Sequence, residues 1–151
     1  METIRCLPQG ICSWNFYVTD GARNASIEFN WVGEQGRIVV DGVVYDIDKG
    51  GWLSGHWELN LDGQRICSAQ KASIFTRTFD MTTETGQIRL SAVAPVSRSM
   101  RLEGDGFSAD IVPVHPWTRR TNITGTIPDL AVACFAFWLT VLLWKRQAEN
   151  D

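Results

Sequence analysis

Residues Leu130–Trp144 read LAVACFAFWLTVLLW, with Thr140 the only polar side chain among them. The run is too long for a strand and apolar on every face. A helix built from it must be surrounded, by lipid or by protein. Fifteen residues rising ~1.5 Å each span roughly 22 Å. A bilayer core is ~30 Å thick and takes ~20 residues to cross. Pro128 and Asp129 before the run and Lys145-Arg146 after it prevent its extension, and tilt shortens the span further. A barrel strand of about seven residues rises ~23 Å, so the helix matches the height of a small β-barrel. Burial in protein is the expectation. A tail anchor, with Lys145-Arg146 as its cytoplasmic flank, is the alternative.

The chain ahead of this helix shows almost no helical periodicity. Short β-branched and aromatic runs, punctuated by Gly, predict strands over 11–19, 26–32, 37–40, 43–47, 57–61 and 65–70. Five more are predicted over 76–82, 87–92, 99–103, 108–112 and 119–124. Alternation is clear in Trp57-x-Leu59-x-Leu61, Ile88-x-Leu90 and Met100-x-Leu102, which implies one face inward and one face wet. Asp41-Gly42, Asp62-Gly63 and Asp105-Gly106 supply the positive-φ positions of tight hairpins. A faint repeat runs through this region. Phe75-Thr76-Arg77 returns as Trp117-Thr118-Arg119 at an offset of 42, while Asp62-Gly63 and Trp57-x-Leu59 return at 43. Two similar multi-strand units in one sheet fit that pattern. The expected fold is therefore mainly β: a single antiparallel barrel of about 11–12 strands, with strands over 11–125, enclosing a hydrophobic helix over 128–147. Thr126, Pro128 and Asp129 form its N-terminal signature. One core of this size suits a single domain over 1–151.

Composition narrows the function classes. A net charge of −3 argues against a general nucleic-acid binder, which carries a basic stripe. The amino-terminal METIRCLPQG lacks the charged start and apolar stretch of a secretory signal. The expected compartment is the cytoplasm, and the sequons at Asn24 and Asn122 then carry no weight. Cys6, Cys12, Cys67 and Cys134 have no metal-ligand spacing, and His56 and His115 lie apart from them. Reduced, partly buried thiols are expected, with no metal and no cofactor.

The paired units YDIDKGGWLSGHWELNLDG and IRLSAVAPVSRSMRLEGDG, followed by IPDLAVACFAFWLTVLLWKR, resemble the tubby-like barrels. The likeness is strongest to the LURP-one-related branch and its small bacterial members. It covers roughly Ile11 to Arg146. In those proteins about a dozen strands close around a central helix, which implies the same here. Tubby domains bind phosphoinositides through basic side chains, so the resemblance implies binding of phospholipid head groups. No lysine run of that kind transfers, because Lys49, Lys71 and Lys145 are the only lysines.

The best basic constellation is Arg98 and Arg101 with Arg119 and Arg120, where arginines on adjacent strands can hold a phosphate. Alternation places Arg98 and Arg101 on opposite faces unless a turn separates them. Asp46-x-Asp48 lacks the remaining ligands of a calcium loop. His56 and Glu58 share a face and are expected to form a cross-strand surface pair. Trp14, Trp31 and Trp52 are either rim packing or an aromatic binding surface. No nucleophile elbow or phosphate loop is present. The expectation is a monomeric, non-enzymatic binding or scaffold module whose partner is membrane lipid or another protein. The alternative is a tail-anchored protein with a β-rich head.

Overall fold

The computed structural model describes residues 2–11, 13–51, 55–127 and 129–150. Cys12, Trp52 and Pro128, singled out above, lie outside the described residues.

The first six strands are β1 (Glu2–Pro8), β2 (Phe16–Thr19), β3 (Asn24–Asn30), β4 (Gln35–Val40), β5 (Val43–Lys49) and β6 (His56–Leu61). They continue as β7 (Gln64–Lys71), β8 (Thr78–Thr83), β9 (Gly86–Ala92), β10 (Met100–Gly104), β11 (Phe107–Pro113) and β12 (Thr121–Gly125). Each strand pairs antiparallel with its sequence neighbour, and β12 pairs with β1, which closes the barrel. Closure removes every free edge. Inward positions alternate along each strand: Trp57 and Leu59 on β6, Phe79 and Met81 on β8, Met100 and Leu102 on β10 are all buried.

The helix α1 (Leu130–Asn150) fills the lumen. By length and composition it is apolar enough to cross a bilayer, yet all fifteen residues Leu130–Trp144 are buried by the barrel wall. No apolar face is left for lipid, so the helix is the core of the barrel. Thr140 sits at 0 % exposure and its hydroxyl donates to the Ala136 carbonyl at 2.9 Å, which satisfies it within the helix. The helix cap is Asp129: the Ala131 N–H donates to its Oδ1 at 2.9 Å. Thr126, expected as the polar cap, instead extends the sheet by donating its N–H to the Ser108 carbonyl. The helix also runs three residues beyond the expected 147, because Lys145 pairs with Glu149 one turn on.

The predicted strands from 26 onward correspond to β3–β12, and two differences stand out near the amino terminus. The strand expected over 11–19 begins only at Phe16, since residues 9–11 and 13–15 belong to no strand. β1 had no sequence counterpart at all. Its inward pair, Ile4 and Cys6, is too short an alternation to stand out, and Pro8 ends it.

The two rims differ. At the lower rim, where α1 starts, Asp41-Gly42, Asp62-Gly63, Glu84-Thr85 and Asp105-Gly106 make two-residue connections. Asp41 and Asp62 themselves adopt φ of 48° and 52° ahead of Gly42 and Gly63, as a type I′ turn requires at both positions. At the upper rim, where α1 emerges, the loops are longer: 9–15, 31–34, 50–55, 72–77, 93–99 and 114–120.

The repeat is finer than the offsets of 42 and 43 suggest. Its unit is one strand–turn–strand–loop of 21 residues, carrying Arg77, Arg98 and Arg119 at equivalent places. The β6–β7 pair breaks register between Leu59 and Asn60, so that Ile66 is an extra residue on β7. Pairs spanning that bulge return after 43 residues and pairs beyond it after 42.

Packing inside is aromatic. Phe16 meets Phe137 edge-on at 4.7 Å, and Trp138 stacks on Phe29 at 5.0 Å. The Trp138 indole lies over Gly36, where a Cβ would collide with the ring and with the Glu28 carbonyl. Backbone cannot yield as a flexible side chain does. Gly36→Ala is therefore expected to lower stability by about 1–3 kcal/mol, read as a shifted denaturant midpoint at unchanged slope.

Candidate binding rim

Four of the upper-rim loops, 9–15, 72–77, 93–99 and 114–120, share one construction. Gln9, Val93 and Val114 each donate an N–H to the carbonyl six residues on, and so does Ala72. Inside each loop a second bond runs back three residues, as from Ser97 to Ala94 and from Thr118 to His115. This closure turns several carbonyls toward the neighbouring loop, where an arginine collects them. Arg77 donates to the carbonyls of Ala94 and Pro95 at 2.6 Å and of Ser97 at 2.5 Å. Arg98 donates to those of His115, Pro116 and Thr118 at 3.0–3.1 Å. Arg119 donates to Gly10, Ile11 and Ser13, crossing the β12–β1 seam. A guanidinium is suited to this because its donors fan out in a rigid fork.

The four arginines singled out in the sequence thus have different surroundings. Arg98 and Arg119 sit at the upper rim with their guanidinium groups engaged by loop carbonyls. Arg98 also lies 5.4 Å from the Trp144 ring and Arg119 4.7 Å from that of Trp14. Arg120 is exposed at the same rim and makes no ion pair among the described residues. Arg101 is not with them: it lies on the outer wall, its Nε 3.0 Å from Asp110 Oδ1. Arg98 lies in the 93–99 loop, outside β10, so strand alternation does not relate it to Arg101.

Other rim cations were not singled out by sequence. Lys49 and Arg146 converge on Glu34, with Lys49 Nζ and Arg146 Nη2 at 2.7 and 2.6 Å from its Oε1. Arg146 Nε adds a second bond to Oε2 at 2.8 Å. These bonds, Arg146 first, hold the Glu34 carboxyl down from its ordinary 4.5 to about 2, against the opposing effect of burial. Lys71 donates to the Ser73 carbonyl at 2.8 Å. The recurrence of Arg77 at 98 and 119 was the one sequence signal for this rim.

Charge is divided between the two ends. Lys49, Lys71, Arg77, Arg98, Arg119, Arg120, Lys145 and Arg146 gather at the upper rim, against Glu34 and Glu149. The lower rim has Asp20, Asp41, Asp62, Glu84, Asp105 and Asp129 against Arg23. A cleft of about 430 Å³ opens beside the helix start, floored by Ile66, Ile88, Phe107 and Val132. The carboxylates of Glu84, Asp105 and Asp129 line it, which disfavours an anionic ligand there.

The remaining candidates resolve into packing and wall pairs. His56 and Glu58 pair along β6 and not across strands, with Nε2 3.2 Å from Oε2; the cross-strand partner of Glu58 is Arg65 at 3.6 Å. Asp46 faces Arg37 at 3.8 Å, and Asp48 accepts from Asn60 at 2.8 Å. Among the described residues no three His, Cys, Asp or Glu side chains converge as a metal site. Cys6, Cys67 and Cys134 are free and buried, and burial pushes the thiols of Cys67 and Cys134 up to about 12. Trp14 meets Trp31 edge-on at 6.2 Å, and Trp31 stacks on Phe29 at 4.5 Å, so both belong to the upper end of the core.

The chain matches no protein-family model, no curated protein and no solved structure. What is shown is the architecture itself, a twelve-strand closed antiparallel barrel with a buried carboxy-terminal helix.

Two outcomes follow from this rim. Arg98→Lys should destabilise the protein by about 1–3 kcal/mol, because one ammonium cannot span three carbonyls, whereas Arg120→Ala should stay within ~0.5 kcal/mol. Thermal unfolding of the two variants separates them. Glu34, with its carboxyl pKa lowered by folding, contributes stability that is complete above the ordinary carboxyl range and declines as pH falls toward 2. Between pH values of about 7 and 3, wild type should lose about 1 kcal/mol more than Glu34→Gln, after allowance for solvent screening. Denaturant titrations at the two pH values measure it.

Proposed function

We propose that the protein is a non-enzymatic binding module of the tubby-like, LURP-one-related kind, acting in the cytoplasm on anionic phospholipid head groups through its upper rim. The separation of charge between the rims is the observation that carries this reading. An acidic chain that gathers most of its cations at one end has a directional field, which orients it toward an anionic surface. Phosphates are met by Arg120, exposed at the foot of the 114–120 loop, and by Lys71 at the end of β7, whose ammonium donates one of its three hydrogens to the Ser73 carbonyl. The clamped arginines keep their positive charge while their donors hold carbonyls, so they add field rather than contacts. The filled lumen leaves head groups to be met at the rim and not inside the barrel.

The test is co-sedimentation with phosphatidylcholine vesicles, with and without phosphatidylserine. Binding is expected only to the anionic vesicles. The double reversal Lys71→Glu, Arg120→Glu should weaken it by at least tenfold, given ~1 kcal/mol per basic residue near such a surface. Equal binding by wild type and this variant, or no binding by either, would defeat the proposal.

A further inference from the structure

Five loops of the upper rim, 9–15, 31–34, 72–77, 93–99 and 114–120, each carry a large apolar side chain that touches almost nothing. Ile11, Val32, Ile74, Phe75, Val96 and Trp117 are 84–99 % exposed. The turns of the lower rim have no exposed large apolar side chain among the described residues. These side chains are not accidents of separate loops. Phe75, Val96 and Trp117 occupy one place in the 21-residue repeat, two residues before the clamping arginine. Four consecutive loops around the barrel (72–77, 93–99, 114–120 and 9–15) are joined one to the next by those arginines, except at the β7–β8 end where the chain of clamps begins. The clamps hold the loop backbones while leaving the crest side chains pointing away from the protein.

Apolar side chains this exposed cost solubility unless something covers them. A protein partner fits best against one contiguous apolar patch with a polar border. Here the apolar groups are divided among separate loops, Ile74 with Phe75, Val93 with Val96 and Val114 with Trp117, and Lys71, Arg77, Arg98 and Arg120 lie in or beside the same loops. That is the arrangement of an interfacial anchor, with cations at head-group level and aliphatic and aromatic side chains reaching the acyl boundary.

We infer that the upper rim does more than attract head groups: its loop crests, with Phe75, Val96 and Trp117 foremost, insert into the interface of an anionic phospholipid bilayer. This rests on the lipid-surface reading above and names the mode of attachment. The head groups supply orientation through charge, and the crests supply hold that salt does not screen.

The experiment uses the full chain and phosphatidylcholine/phosphatidylserine vesicles in which the acyl chains are brominated. Insertion predicts quenching of tryptophan emission that Trp117→Phe reduces while binding persists. It predicts residual binding at about 1 M salt, where the Debye length is only ~3 Å. Phe75→Ser, Trp117→Ser should remove that residual binding and weaken partition at low salt by on the order of tenfold or more. Because both side chains are exposed, the melting temperature should not move. Vesicle binding by wild type that is abolished by salt, unquenched and equal in the double variant would overturn insertion and leave the head-group reading standing. No binding of wild type to any vesicle would overturn both.

Discussion

The whole molecule depends on a mutual burial. An all-apolar helix cannot stand in water, and a twelve-strand sheet curled on itself cannot leave its inner face empty. Each solves the problem of the other. The wall offers Trp57, Phe79, Met100 and their neighbours inward, and the helix offers apolar side chains in every direction. Because the helix is apolar all round, it does not prefer one wall over another. Specific positions set its orientation instead: Trp138 over Gly36, Phe137 against Phe16, and the Trp144 indole donating to the Arg98 carbonyl at 3.0 Å. At the upper rim Arg146 ties the helix to Glu34, and at the lower rim Asp129 caps it.

Around this core the barrel repeats a single hairpin unit, and the repeat explains why function concentrates at one end. Tight Asp-Gly turns need only two residues and take acidic side chains, so the lower rim is low and negative. The longer connections on the other side have room for carbonyl-rich loops, and these need cations to satisfy them. The arginine clamps are thus first a structural device. Their by-product is a basic rim on an acidic protein. Structure and proposed activity draw on the same residues, and the exposed Arg120 and the loop crests are where the two roles come apart.

Much of the fold was legible in the sequence because its signals are local. A fifteen-residue apolar run bounded by charge has few homes, and period-two alternation with Asp-Gly turns marks β6 to β11 clearly. β1 was illegible because its partners β2 and β12 identify it as a strand, and one of those lies more than a hundred residues away. The candidate site was less legible. Arg98 and Arg119 stand out as cations, but nothing local says that backbone carbonyls already occupy them; that is decided by the neighbouring loop. Arg101 was grouped with them by proximity in sequence, whereas its strand carries it down the outer wall to Asp110. Arg77 would have been found by following the repeat at 21 residues, which the one-residue bulge at Ile66 partly conceals.

That closure has a consequence for how the chain comes to be folded during synthesis. β1 is made first and cannot complete its pairing until β12 appears, and the lumen cannot fill until α1 follows. The Arg119 clamp to Ile11 joins residues 108 apart in sequence. Contacts of that separation form slowly, since a long loop must be closed before they contribute. Until β12 and α1 have been made, the nascent sheet is an open ribbon with two bare edges and an apolar face. Such a species pairs readily with its own copies. The same burial that makes the finished barrel compact therefore makes its assembly wait for β12 and α1, so that closing the wall and filling the lumen come together.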